Sequence, residues 1–335
     1  MFTPGLVSIV IPCYNAKPYI AATLESVFLQ KDAPFEVILV DDGSGDGSAD
    51  LVASEFPAVK LYRTANRGPS AARNFGTERS NGEFIQYLDS DDLLAPGKLQ
   101  SQLSALRQSG ADVAYGDWLK FHVLTDGTKV VQERFERRLG PSPEIDLFTE
   151  FWCPPAVYLI RRQVVDRVGG WNPSLPVIQD ARFMLDCALH GSQFVYCPGL
   201  MAEYRVHETG SVSTRSRAAF LADCLRNALE VRDWWASRGQ LDTERRQAVI
   251  GVLDMVANAS IASGDRLLFD QACRAVALLK CQYPPEWPLK KRTAISLFGY
   301  RPSITAAYYL RRCKEALAGR RRDGNCTLKA SRQSL

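Results

Sequence analysis

The chain has 335 residues, 46% hydrophobic and 23% charged, which excludes a disordered or collagen-like chain and allows one sizeable core with a smaller appendage. Its net charge of +4 is unevenly shared: residues 1–214 hold 19 Lys and Arg against 26 Asp and Glu, and residues 215–335 hold 22 against 11. An acidic half needs cations before it accepts anionic substrates, whereas a basic half suits phosphate-bearing surfaces such as anionic lipid or nucleic acid. Nine scattered cysteines, never spaced C-x-x-C, argue against a disulfide framework or zinc module and for a reducing compartment. No apolar run approaches the roughly 18 residues of a membrane span, and no basic segment leads an apolar one as in a signal peptide.

In chain order, Leu6–Ile11, Glu36–Val40, Val59–Arg63 and Phe84–Leu88 are short apolar runs of the kind found in strands covered on both faces. Tyr19–Gln30, Ser48–Phe56 and Ser70–Arg79 between them read as helices, with Pro18 and Pro69 near helix starts. The alternation predicts a parallel sheet. A helix is expected from after Pro96 to Gly110, then a strand over Asp112–Tyr115. Residues 117–150 alternate weakly and read as a hairpin or an insertion. Phe151–Arg161 reads as strand, Gln163–Val168 and Ala181–His190 as helices, and Phe194–Cys197 and Met201–Val206 as two strands. From residue 215 to 282 the apolar period becomes helical, predicting two or three packed helices. The prolines within 283–302 suggest a connector before a last helix over Ser303–Ala318, with 321–335 a disordered tail. The expected division is a catalytic domain over 1–214 and a helical region over 215–320.

Three segments carry chemistry. Asp89, Asp91 and Asp92 directly follow the fourth apolar run, and carboxylates so crowded repel one another unless a cation or solvent stabilises them. Hard oxygen ligands suit Mg2+ or Mn2+, which keep open positions for substrate phosphates; the bland alternative is a solvated turn capping the next helix. Asp41-Asp42-Gly43-Ser44 ends the second run, where a carboxylate can meet a nucleobase or a ribose hydroxyl, or simply make an Asp-Gly turn. Asn66 to Asn74 opens a helix, and its N–H groups with Arg67 or Arg73 favour an anion such as a pyrophosphate. Pro69 and Ser70 there also fit a plain cap.

The run Val7 to Asn15, then Asp41-Asp42-Gly43-Ser44, Gly68 to Asn74 and Asp89-Ser90-Asp91-Asp92 resembles, in that order, the family 2 glycosyltransferases of the GT-A fold over residues 7 to 213. The resemblance implies a Rossmann-like, mostly parallel sheet flanked by helices, and inverting, metal-dependent transfer of a hexose-type sugar from a nucleotide-sugar donor, by default a UDP-sugar. It implies donor-binding roles for Pro12, Tyr14, Asp41, Asp42, Arg67, Arg73, Asp89 and His207. Tyr14 would stack on the base and Asp42 bind its edge, with Asp41 supporting the pocket and Arg73 approaching the diphosphate. Asp89 and Asp91 would be the D-x-D pair at the metal, Asp91 the direct ligand. Gly169-Gly170-Trp171-Asn172 followed by Gln179-Asp180 matches the family's catalytic-base segment, making Asp180 the candidate base. Gln179 departs from the acidic neighbour usual there, and an N-cap for the following helix is the structural alternative for Asp180. Tyr204-Arg205-Val206-His207 with Ser211 and Ser213 resembles the segment that closes over the donor phosphates. Trp152 and Trp171 are candidates for a sugar platform or for core.

The acceptor implied is a saccharide or lipid-linked saccharide, in cell-surface polysaccharide or glycolipid synthesis. Ten basic residues between Lys290 and Arg322, interleaved with Phe298, Tyr300, Tyr308, Tyr309 and Leu310, fit either an anionic membrane surface or a solvated basic face. A cytoplasmic protein, peripheral on the inner face of the membrane, is the expectation. No motif supports specific nucleic-acid binding. The rival readings are a membrane-associated, nucleotide-sugar-binding scaffold and a sugar nucleotidyltransferase. The second lacks its glycine-rich loop, because Pro12-Cys13-Tyr14-Asn15 follows the first strand.

Overall fold

The computed structural model describes residues 2–31, 33–207, 216–279 and 283–330, with side chains as far as Glu315. Ser211 and Ser213 lie outside the described residues. The chain divides after Arg215 into two compact units.

The first unit opens with β1 (Thr3–Cys13), α1 (Ile20–Phe28), β2 (Phe35–Asp41), α2 (Ser48–Glu55), β3 (Lys60–Arg63), α3 (Pro69–Glu78) and β4 (Gly82–Tyr87). It continues with β5 (Leu93–Leu94), α4 (Lys98–Ser109), β6 (Val113–Val123), β7 (Lys129–Phe135), α5 (Pro143–Thr149), β8 (Leu159–Arg161), α6 (Arg162–Val168), α7 (Gln179–Leu189) and β9 (Phe194–Arg205). The strands form one nine-stranded sheet in the order β3-β2-β1-β4-β8-β6-β9-β5, with β7 hydrogen-bonded to β6. The pairs among β1 to β4 and the β6–β9 pair are parallel. The sheet is nonetheless mixed, because β8 runs antiparallel to both β4 and β6. Val7, Ile9, Val10 and Ile11 of β1 are fully buried, which is why that strand reads as a nearly continuous apolar run, interrupted at Ser8. Helix α3 lies very close to the sheet: a Cβ on Gly76 would stand 2.6 Å from Val10 Cγ1 and 3.2 Å from Val40 Cγ2. Lys98 is drawn into the core at the start of α4, where its ammonium meets the side-chain oxygens of Gln86 and Gln102 and the Tyr158 carbonyl. Burial pushes its pKa well down.

Three expectations change. Phe151–Arg161 is strand only over Leu159–Arg161, preceded by a single 3-10 turn over Pro155–Val157; Pro154 and Pro155 lack the N–H groups a ladder needs. The hairpin reading holds within 117–150, but β6 runs on to Val123 before turning into β7, and α5 follows. The two strands expected near residues 194–206 are one strand, β9, whose register shifts opposite Gly116, Asp117 and Trp118. At that irregularity a Cβ on Gly116 would fall 2.2 Å from the Cys197 carbonyl oxygen. Gly116→Ala is therefore expected to destabilise the unit by about 2 kcal/mol or more in denaturant unfolding; parent-like stability would show that the strands can part.

The second unit is helical: α8 (Arg217–Ser237), α9 (Thr243–Ser263), α10 (Arg266–Leu278), α11 (Leu289–Phe298) and α12 (Tyr300–Ala330). Ser216, Asp242 and Asp265 cap the first three by accepting the N–H of Ala219, Arg245 and Leu268. Helix α9 packs against α8 and α10, and α12 against α9 and α10. Residues 283–302, expected as a connector, contain α11, because the prolines stop at Pro288 and Pro302 sits in the first turn of α12, where a missing N–H costs nothing. Helical backbone also continues through residues 321–330, where a disordered tail was expected. Among the described residues no helix is long and apolar enough to cross a membrane.

Candidate active site

The site gathers at the carboxyl ends of β1, β2 and β4, neighbours in the parallel half of the sheet, where open α/β sheets leave a crevice for ligands. Pro12 is buried in β1, and beyond it Tyr14 is 50% exposed, leaving a ring face free. Asn15 takes a left-handed conformation, φ 50°. Its backbone N–H donates to Ser44 Oγ at 2.9 Å and its Oδ1 accepts from Gly45 N–H at 2.9 Å. The loops after β1 and β2 are thereby laced together.

Asp42 is buried, and its two oxygens accept the backbone N–H groups of Arg67 and Gly68 at 2.9 and 2.8 Å. The structure thus uses this carboxylate to set the loop that leads into α3. Asp41 is also buried; its Oδ2 accepts weakly from Ser44 N–H, and its Oδ1 has no partner among the described residues. Arg67 itself is exposed at the rim.

Arg73 is buried on α3 rather than open to the cleft. Its guanidinium forms an ion pair with Asp89, donates to Gln179 Oε1 at 3.1 Å, and lies 4.2 Å from the Trp171 ring centroid. Gln179 Oε1 accepts from Ser70 Oγ as well, at 2.7 Å. The amide at position 179 therefore serves as a neutral acceptor between α3 and α7. Asn74 clasps the Gly-Gly-Trp segment from both sides, accepting from Trp171 N–H at 2.7 Å and donating to Trp171 O at 2.9 Å. Gly170 has φ 86°, and a Cβ there would stand 2.7 Å from Asn74 Oδ1, so glycine is required. Trp171 is consequently buried and stacked on Phe183, which removes it as a sugar platform.

The acidic turn after β4 is split by environment. Asp89 and Asp91 are partly exposed; Asp91 Oδ2 lies 2.7 Å from His207 Nε2. Asp92 is buried, with Oδ1 accepting the Arg205 N–H at 2.9 Å and Oδ2 without a partner among the described residues. Burial, then Asp91 and Asp89, hold its pKa well above the carboxylate range. Arg205 further donates through Nε to Asp91 O at 2.9 Å, so the end of β9 braces the turn. The Asp91 carboxylate and the His207 imidazole are the candidate ligands for Mg2+ or Mn2+ at this turn; among the described residues no group of three His, Cys, Asp or Glu side chains that could hold a metal ion is found.

Asp180 sits in the first turn of α7, whose N-cap position is Ile178, so it is not the N-cap residue although its side chain takes up one first-turn N–H. Its Oδ2 accepts the Trp152 indole N–H at 2.7 Å and its Oδ1 accepts the Ala181 N–H at 2.8 Å. Burial raises its pKa, outweighing those two hydrogen bonds, with Asp89 raising it and Arg73 lowering it further. Trp152 meets Trp118 and Tyr204 edge to face at 5.4 and 5.6 Å, and Trp118 stacks on Phe135 at 4.0 Å. Burial also raises the Tyr204 hydroxyl pKa, with Asp92, Asp89, Asp91 and Asp180 adding to it. Sequence reasoning missed the contact of Trp152 with Asp180 and the bracing by Arg205; no local spacing signals either.

A mixed α/β sheet with acidic turns at adjacent strand ends and a helical region after it is the architecture of GT-A proteins. Residues 8–169, just under half of the chain, match the family model for Glycosyl transferase family 2. Among curated relatives, an uncharacterized glycosyltransferase of Haemophilus influenzae is 39% identical over 117 residues, 34% of this chain and 47% of that protein. The putative teichuronic acid biosynthesis glycosyltransferase TuaG of Bacillus subtilis is 37% identical over 108 residues, 31% of this chain and 42% of that protein. The matched segments thus span about half or less of those relatives' lengths. A crystal structure of S. aureus TarS 1-349 in complex with UDP-GlcNAc shares the fold, with a TM-score of 0.67 at 18% identity, covering 90% of this chain and 91% of that one.

Proposed function

We propose that the protein transfers a sugar, with inversion, from a nucleotide-sugar donor to a hydroxyl of a saccharide or lipid-linked saccharide. The observation that carries this reading is Asp180: a carboxylate with a raised pKa, held by Trp152 and facing the electrostatic influence of Asp89 and Arg73. Each of its oxygens keeps a lone pair after the Trp152 and Ala181 bonds. Asp180 takes the proton of the acceptor hydroxyl, whose oxygen bonds to the anomeric carbon while the bond to the diphosphate breaks with its electron pair. Tyr14 offers a face for the base, and Asp42 shapes the pocket by fixing Arg67 and Gly68. Arg73 acts through Asp89, which it orients. Asp91 and His207 would hold Mg2+ or Mn2+, which supplies charge neutralisation for the departing diphosphate. A UDP-sugar is the first donor to test, since the fold neighbour TarS binds UDP-GlcNAc. The name of TuaG supports a role in cell-surface polysaccharide synthesis.

The test is a hydrolysis and transfer screen of nucleotide sugars with Mg2+ or Mn2+. Metal-dependent release of a nucleoside diphosphate is expected; release of pyrophosphate from a nucleoside triphosphate and a sugar phosphate would overturn the reading in favour of a nucleotidyltransferase. A base must be ionised, and burial lifts the Asp180 pKa. Turnover is therefore expected to rise with pH through a limb displaced upward from that of an ordinary Asp carboxyl, read from a pH profile of kcat. Full activity at pH values below the ordinary carboxylate range would exclude Asp180 as the base.

A further inference from the structure

We infer that the outward face of α12, from Pro302 to Cys313, docks on an anionic lipid bilayer. The helix is held to its unit by Tyr300 and Ile304, both buried. At 3.6 residues per turn, Pro302, Ala306, Tyr309, Leu310 and Cys313 fall on one stripe turned away from those anchors, and all five are exposed. Tyr309 is 55% and Leu310 63% exposed. On the neighbouring helix α11, Leu289, Leu297 and Phe298 are also exposed, as is Lys290.

The charges say what covers this surface. From Leu289 to Glu315 there are seven Lys and Arg and one carboxylate, Glu315. Lys291 and Arg301 are paired with Asp254 and Asp270 on neighbouring helices. Lys290, Arg311, Arg312 and Lys314 form no ion pair among the described residues. A second copy of the chain on this face would press like charges together, and bulk water would leave the leucines and aromatics wet. An anionic bilayer meets both needs: headgroup phosphates for the cations and the acyl boundary for Tyr309 and Leu310. A helix with a cationic flank and too few apolar residues to span lies in the interface plane. The inference deepens the proposed function by naming the surface that would bring the enzyme to a lipid-linked acceptor, and for that consequence it rests on that reading.

The experiment is cosedimentation of the full chain with phosphatidylcholine vesicles, with and without phosphatidylglycerol, at low and high salt. Binding to the anionic vesicles alone, weakened by salt, is expected. Tyr309→Ser with Leu310→Asp, and separately Arg311→Glu with Arg312→Glu, should each weaken it on the order of tenfold. All four positions are exposed in the parent, so unchanged circular dichroism and thermal unfolding are expected of both variants. Equal binding to neutral vesicles, no binding, or parent-like binding by both variants would overturn the inference. So would a dimer in light scattering that Leu310→Asp dissolves. Vesicle binding is read without turnover, so a chain that sediments but transfers no sugar would sink the proposed activity and leave the surface standing.

Discussion

Asp180→Asn is expected to lower kcat by about 10²–10⁴-fold, the range general-base catalysis supplies, with donor affinity unchanged. Asn is isosteric with Asp and keeps a carbonyl oxygen that can accept from the Trp152 indole or the Ala181 N–H, so the local geometry survives. What disappears is the capacity to hold a proton. Among the described residues the Asp180 carboxylate bonds to Trp152 and Ala181 and not to Tyr14 or Asp42, so donor affinity is expected to stay near that of the parent. Steady-state kinetics alongside calorimetric titration of the donor separates the two quantities. Ordinary turnover by Asp180→Asn would remove the base from the mechanism. Trp152→Phe serves as a companion: losing a hydrogen bond to the ionised carboxylate should move the acidic limb of the pH profile upward.

Arg73→Met is expected to destabilise the first unit by about 3 kcal/mol, the lower end for breaking a buried ion pair. The lower end applies because Asp89, left behind, is partly open to water. For a unit of this size the loss corresponds to a Tm lower by about 6–12 °C. Three contacts vanish together, with Asp89, Gln179 and the Trp171 face. Arg73→Lys should fall between parent and Met, because an ammonium keeps the charge but cannot span Asp89 and Gln179 as a planar fork does. A parent-like melt of Arg73→Met would show that these contacts contribute nothing net.

The parallel half of the sheet was legible because strands covered on both faces are apolar at nearly every position, as Val7 to Ile11 are apart from the hydrogen-bonded Ser8. The acidic turns were legible as segments because they stand directly after such runs. Their division of roles was not. Whether Asp42 faces a ligand or the N–H groups of Arg67 and Gly68 depends on loop dihedrals, and whether Asp92 is buried depends on where β9 ends. The contact between Trp152 and Asp180 joins residues 28 apart through a segment bent by Pro154 and Pro155. The strand expected over Phe151–Arg161 ran through those same two prolines, which cannot donate to a ladder. The single strand β9 was hidden because Pro198 and Gly199 interrupt its apolar pattern without ending its pairing.

The close seat of α3 on the sheet at Gly76 has a consequence for leaving-group departure. One turn earlier on the same helix, Arg73 shares that seat, its guanidinium fixed between Asp89, Gln179 and the Trp171 ring. Under the proposed reaction, a cation that moved with the leaving group would have to come from outside the helix, and Arg67, whose side chain is exposed just ahead of it while its backbone is held by Asp42, is so placed.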